Sequence, residues 1–425
     1  MLYACGSVGT GLFAASSSIL LLYYLTDTLG VAAAVAGLVL FIPKLWDVVF
    51  DPLVGLASDR LHSRWGRRQP FLVAGALLAG VSFWATFQAP AAVDGAMRPL
   101  VAGLAFFLGM SGYALFAVPY AAMAAEMSED SHERTRIMAW RMGGALVGTL
   151  LGAVAAPMLV SAGGSGQVGH SFMGGVIAAA ITLAMGITAL GARALPGRPR
   201  LEAAQPGARE QLRLALAHRA YFVLLLGYAC VLVGNGAMAA AAPYFVVHVL
   251  RQPPDAVGAV FGCLIVAGLA AMPLWAALSR RFGKRACAVG SALVFALALA
   301  ALYGVGAASP APLLWGLCAL AGVGFAGTQL LPFSMLTDLV HEDTLRTGLQ
   351  REGSFTGLFI AGEKAGLALG PLVTAWVLSA TGFVASAGGA AAQSAAAVTG
   401  VAVAFTLVPA GLAALGAAVL GRVGR

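Results

Sequence analysis

Lys44, Asp47 and Asp51 interrupt an otherwise apolar run, FIPKLWDVVFDP at 41–52. At about 100° per residue of helix, these three side chains project within an arc of roughly 60°. Carboxylates four residues apart can give several hard oxygen ligands to one cation such as sodium. They can also hold a proton, because burial and a like-charged neighbour both disfavour the ionised form. The competing reading is structural: Lys44 neutralises Asp47 in a buried ion pair, and Asp51 caps the helix or contacts a loop. Two further cations fall inside apolar runs. Arg141 offers a rigid two-pronged donor for hydroxyls or carboxylates, and Lys364, beside Glu363, offers a point charge. A polar solute could use both, although Arg141 could equally snorkel to the membrane surface and Lys364 could pair with Glu363. Trp46, Tyr113 and Tyr120 lie close to these charges and either stack on a ring-shaped solute or pack in the core. Asp59 and Glu126 sit at helix ends near basic loops; with Arg64, Arg67 and Arg68 they are expected to form a latch rather than to touch solute.

The elements that must position these residues follow from composition. The 425 residues are 60% hydrophobic and only 10% charged, with a mean hydropathy of +0.88, whereas soluble domains carry about 25% charge. A soluble globule is excluded. Apolar runs predict twelve membrane spans, near 4–25, 31–57, 70–90, 100–126, 138–162, 171–193, 219–248, 256–279, 286–306, 311–337, 353–378 and 394–421. Of the 25 Lys and Arg residues, twenty fall in one alternate set of loops and termini and two, Arg98 and Arg251, in the other. This asymmetry places the basic set, with both termini, in the cytoplasm. It also accounts for the net charge of +8 without a nucleic-acid partner. The five cysteines lie in apolar runs without a C-x-x-C pair and read as packing residues, and the histidines form no metal cluster, His170 falling in an outer loop. The first apolar run lacks a cleavable-signal pattern and reads as a retained first helix.

The chain repeats itself. SRWGRR (63–68) follows the second span and SRRFGKR (279–285) the eighth, while Pro119-Tyr120 and Pro332-Phe333 occupy matching places in the fourth and tenth. Two six-helix bundles in parallel orientation are implied, 1–193 and 219–425, joined by a cytoplasmic linker at 194–218 rich in Pro, Gly and Arg. The expected fold is therefore an all-α membrane protein. Duplicated bundles of this kind hold a solute near mid-membrane and expose it alternately to the two sides.

Several blocks add a resemblance: YYLTDTLG (23–30), KLWDVVFDPLVG (44–55), SRWGRRQPF (63–71), VPYAAMAAEMSEDSHERTR (118–136), MLTDLVHEDTLRTGLQREG (335–353) and EKAG (363–366). The chain resembles the glycoside-pentoside-hexuronide cation symporters of the major facilitator superfamily over nearly its whole length. The resemblance implies cation binding at Asp47 and Asp51, solute contacts from Arg141, Tyr113 and Lys364, and coupling to a proton or sodium, with no cofactor. Two positions depart from the family's melibiose-permease-like members, which carry an acid where this chain has Ala117 and another on helix 1 at the place of Gly11. These departures weaken sodium relative to a proton, and weaken a galactoside relative to other sugars. The resulting expectation is a monomeric, multi-pass inner-membrane symporter of a sugar, glycoside or similar small polar solute, and not an enzyme. A carrier or exporter of an amphiphilic, lysolipid-like solute is the alternative, and a non-transporting membrane enzyme or assembly factor a more distant one.

Overall fold

The computed structural model describes residues 2–61, 63, 65–66, 68–127, 131–191, 219–347, 352–386 and 391–423, excluding the side chains of 59, 89, 91, 124–126, 131–135, 138–139, 341, 344, 346–347 and 352–354. Among the described residues all regular structure is helical, and twelve helices are long and apolar enough to cross a membrane. The helices are α1 (Leu2–Tyr23), α2 (Ala33–Arg60), α3 (Gln69–Gln88), α4 (Arg98–Glu126), α5 (Ser131–Ala162), α6 (Gly166–Gly191), α7 (Arg219–Tyr244), α8 (Ala256–Phe282), α9 (Lys284–Leu302), α10 (Ala311–Thr347), α11 (Glu352–Ala380), α12 (Ala395–Phe405) and α13 (Leu407–Leu420). Because α12 and α13 together make the last span, the thirteen described α-helices give twelve candidate crossings. Their break has a local cause. Proline has no backbone N–H, so Pro409 cannot donate to the carbonyl four residues back, and Thr406 turns its hydroxyl onto the Ala402 carbonyl at 2.6 Å.

The chain divides into two compact units, one comprising Met1–Leu201, Pro253–Ala259 and Gly382–Ser394, the other Glu202–Gln252, Val260–Thr381 and Ala395–Arg425. In the first, α1 lies against α5 and α6, α3 against α4 and α6, and α2 against α4. The α1–α5 approach is close because glycines line it: a Cβ on Gly11 would stand 2.5 Å from the Ala145 carbonyl oxygen. No side chain fits at position 11 without displacing the backbone of α5. In the second unit α7 lies between α11 and α13, and α9 against α10.

The internal repeat extends to backbone detail. Both α1 and α7 end in a π-helical turn, Tyr24–Thr28 and Phe245–Val249. Each turn closes with the same bond, from the Leu29 N–H to the Tyr24 carbonyl and from the Leu250 N–H to the Phe245 carbonyl, both 3.0 Å.

Several helices outrun their apolar spans. Helix α5 begins at Ser131 rather than near 138, and α10 continues to Thr347 rather than stopping near 337. Apolar runs mark where lipid begins, not where helix begins, and polar residues can extend a helix beyond the membrane. Helix α6 starts at Gly166, which removes His170 from the outer loop expected from sequence. It is 2% exposed, with Nδ1 2.7 Å from the Gly166 carbonyl and its ring 4.8 Å from that of Tyr24.

Candidate functional site

Helix α2 shows why its charged stripe survives in an apolar run. Ile42, Leu45, Val49, Leu53 and Leu56 are all about half exposed and form the apolar outer face of the helix. Asp47, on the other face, is 3% exposed, with Lys44 and Asp51 half-buried beside it. Lys44 and Asp47 lie close enough for their charges to interact. Charged groups facing lipid are costly, and here all three lie opposite the exposed apolar face. The side chains of Asp47 and Asp51 both have partners within the protein. The pair forms a compact oxygen-rich locus on a single helix. Among the described residues, no group of three or more His, Cys, Asp or Glu assembles that could hold a metal ion.

Trp46 anchors this stripe to α4. Its indole Nε1–H donates to Ser111 Oγ at 3.1 Å, Ser111 in turn donates to the Phe107 carbonyl at 3.0 Å, and the indole ring lies 5.2 Å from Phe107 and 5.3 Å from Phe50. That network fixes the orientation of the helix bearing the two acids. Tyr113 is half-buried on α4, its ring 5.4 Å from Phe13.

Tyr120 is built into the helix seam. It is 1% exposed. Its hydroxyl donates to the Tyr3 carbonyl at 2.7 Å and lies 2.7 Å from Ser7 Oγ, and Tyr3 returns a hydroxyl bond to the Tyr120 carbonyl at 2.7 Å. Of the two roles open in the sequence, packing is the one this geometry favours. The ring has a second use, because the Arg141 guanidinium sits 5.3 Å from its centroid in a cation–π contact. Arg141 is thus held by an aromatic plate within the first unit.

On α11, Glu363 and Lys364 are both half-buried, and the Lys364 charge acts on Glu363. The sequence pointed to that pair alone. The structure adds Tyr228 from α7 and Gln329 from α10: the Tyr228 hydroxyl lies 3.4 Å from Gln329 Oε1 and 3.5 Å from Glu363 Oε1. Asn235, also on α7, is 6% exposed. A lone amide within an apolar span was the available signal for Asn235, since polar groups inside a membrane are expensive.

Of the expected latch, Arg68 is 9% exposed and its Nη1 donates to Ser58 Oγ at 3.5 Å. Arg64, Arg67 and the side chains of Asp59 and Glu126 lie outside the described residues. In the second half, Lys284, the first residue of α9, makes an ion pair with Asp338 at 2.6 Å.

Comparison with known proteins follows the same outline. A family described as MFS/sugar transport protein matches residues 2–423. An uncharacterized symporter of Synechocystis sp. is 27% identical, the alignment covering 90% of this chain and 85% of the relative. A putative glycoside/cation symporter of Escherichia coli is also 27% identical, over 91% of this chain and 83% of the relative. Among solved structures, a D-xylose-proton symporter superposes with a TM-score of 0.72 at 13% identity, over 99% of this chain and 96% of the other. At that identity the likeness shows the fold.

Proposed function

The chain belongs to the MFS/sugar transport protein family, and from that premise we propose that it is a cation-coupled symporter of a sugar or glycoside, working by alternating access. Its relatives are transporters rather than enzymes, and it is a multi-pass membrane protein. The observation that carries the coupling reading is the buried face of α2, where Asp47 and Asp51 share a stripe with Lys44 and are turned away from lipid. Two acids retained there at the desolvation cost of charge suit a site that takes up and releases a cation. With only two carboxylates on one helix, a proton fits better than sodium, which needs several oxygen ligands.

In this reading the cation binds at Asp47 and Asp51 and neutralises excess negative charge on α2. Arg141, steadied over the Tyr120 ring, and Lys364 contact the solute. Trp46 holds α2 in register with α4, and Tyr113 borders the site. Arg68, with Asp59, Arg64, Arg67 and Glu126, closes the inner side. We place the protein in the bacterial inner membrane with both termini in the cytoplasm, acting as a monomer. One charge moving through 100 mV supplies about 2.3 kcal/mol, enough for roughly 50-fold accumulation.

The test is uptake by the purified full-length protein in liposomes, with D-xylose, methyl β-D-glucoside and D-glucuronate as probes and an imposed proton or sodium gradient. The wild type should accumulate at least one probe under the gradient of one ion. Asp47→Asn and Asp51→Asn should each remove accumulation while leaving downhill exchange. Wild-type accumulation in both variants would sink the coupling assignment, and movement of lysophospholipid alone would replace the sugar with an amphiphile.

A further inference from the structure

A hydrogen-bonding deficit sits at mid-span in the second unit. Tyr228, Gln329 and Glu363 stand 8 to 11 residues from the span ends at Arg219, Val340 and Phe355, or roughly 12–17 Å at 1.5 Å per residue. That is close to the middle of an apolar core about 30 Å thick. The Tyr228 hydroxyl has one hydrogen, and two acceptors, Gln329 Oε1 and Glu363 Oε1, share it at 3.4 Å and 3.5 Å. Both distances are long for an O–H donor, whose bonds cluster near 2.7–2.8 Å. The phenol is nevertheless held firmly: its ring stacks on Phe359 at 4.9 Å and meets Phe333 edge-on at 5.9 Å. The ring packing keeps the oxygen from moving closer to either acceptor.

Asn235 follows Tyr228 by seven residues, which returns it to the same helix face within about 20°. It is 6% exposed, and neither its amide nitrogen nor its amide oxygen has a hydrogen-bond partner. Tight packing on both sides fixes the helix there. A Cβ at Gly234 would meet Pro409 at 3.2 Å, and one at Gly236 would meet the Leu367 carbonyl at 2.9 Å. Buried polar groups in native proteins are almost always paired, and the exceptions call for a missing partner. Here the Asn235 amide has no partner, and on the same face of α7 the Tyr228 hydroxyl has only long bonds to the Gln329 amide and the Glu363 carboxylate. A hydroxyl group, which both donates and accepts, answers each of them.

We propose that Tyr228, Asn235, Gln329 and Glu363 form a hydroxyl-reading subsite in the second unit that binds a neutral solute bearing neighbouring hydroxyls, such as a pentose or a hexoside. The subsite rests on the transport reading above and narrows its substrate class. The amides distinguish a solute by the number and placement of its hydroxyls. A site built to bond a hydroxyl rejects the analogue that lacks it more strongly than an apolar pocket rejects an extra group.

Calorimetric titration of the full-length protein in detergent tests this, with D-xylose, methyl β-D-glucoside, its monodeoxy analogues and D-glucuronate as probes. Two variants separate binding from packing. Asn235→Leu removes the unpaired amide at similar volume, and Tyr228→Phe removes only the hydroxyl and keeps the ring stack. Each should weaken binding of the neutral sugar about tenfold, leave the thermal midpoint unchanged or higher, and erase discrimination against at least one monodeoxy analogue. Unchanged affinity in both variants would overturn the subsite while leaving the transport reading intact if uptake persists. Weakened binding in both, in a protein that moves no probe across liposomes, would keep the subsite and remove the transport reading. A wild type that binds only D-glucuronate, or no probe at all, would overturn the subsite directly.

Discussion

The two halves of this chain carry the polarity of their spans in different ways. In the first, opposite charges line the inward face of a single helix, Lys44, Asp47 and Asp51 on α2, with the Arg141 cation steadied on the Tyr120 ring. In the second, hydrogen-bonding groups come from three helices, Tyr228 and Asn235 on α7, Gln329 on α10 and Glu363 on α11, and the one acid has a cation, Lys364, as its sequence neighbour. The positions equivalent to Asp47 and Asp51 in the repeat fall on α8, a helix without carboxylates. Duplication therefore preserved the scaffold, including its matched π-helical turns, but not the chemistry. A group that must change charge state suits a position where charge is already balanced across few partners. A group that must recognise hydroxyls needs donors and acceptors converging from several helices.

The strongest way to break this comparison is to exchange the acids' effects. Asp47→Asn should reduce gradient-driven accumulation from about 50-fold per 100 mV to no accumulation while exchange continues. Glu363→Gln should do the opposite, weakening affinity about tenfold but leaving the accumulation ratio intact at saturating solute. Liposome flux with and without an imposed gradient separates the two. Loss of coupling in Glu363→Gln with coupling retained in Asp47→Asn would reverse the assignment of roles.

The first half is the more legible in sequence. Three charges in an apolar run announce themselves because lipid penalises each one, and helical periodicity by itself places them on one face. Spans are legible for the same reason, although the polar ends of α5 and α10 are not, since hydropathy does not report helix. The second half's patch is largely hidden. Tyr228 is an ordinary span residue until packing brings it to Gln329 and Glu363, and the unpaired state of Asn235 is a property of its neighbours. His170 reads as a loop residue because Gly164, Ser165 and Gly166 before it all take positive φ, between 53° and 100°. That turn has the composition of an open loop, yet a helix starts directly on its last residue.

A smaller effect sharpens the contrast between a tyrosine that braces and one that binds. Tyr120→Phe removes a hydroxyl bonded to the Tyr3 carbonyl and close to Ser7 Oγ, leaving buried polar groups short of a partner at a cost of about 1–3 kcal/mol. Thermal unfolding in detergent should register that loss. Solute affinity should change only through the loosened platform under Arg141. Tyr228→Phe is expected to show the reverse, with stability kept and affinity reduced. A Tyr120→Phe protein of unaltered stability would dissolve the distinction.

The smallest expected effect concerns the repeated basic loops. SRWGRR and SRRFGKR are similar strings, but the first unit buries Arg68 to 9% exposure against Ser58, whereas in the second unit Lys284 reaches Asp338 with the two side chains 35% and 60% exposed. Water screens an ion pair at that exposure, so it contributes about 0–1 kcal/mol. Asp338→Asn should therefore lower the thermal midpoint only slightly, and raised salt should shrink even that difference, because screening already weakens the wild-type pair. Arg68→Gln removes a cation from a buried position where Ser58 stays behind, and should cost more stability with little dependence on salt. Midpoints measured at low and high ionic strength decide the matter: equal, salt-sensitive losses in the two variants would mean that the loops remain equivalent, and that the divergence between the halves is confined to the interior of their spans.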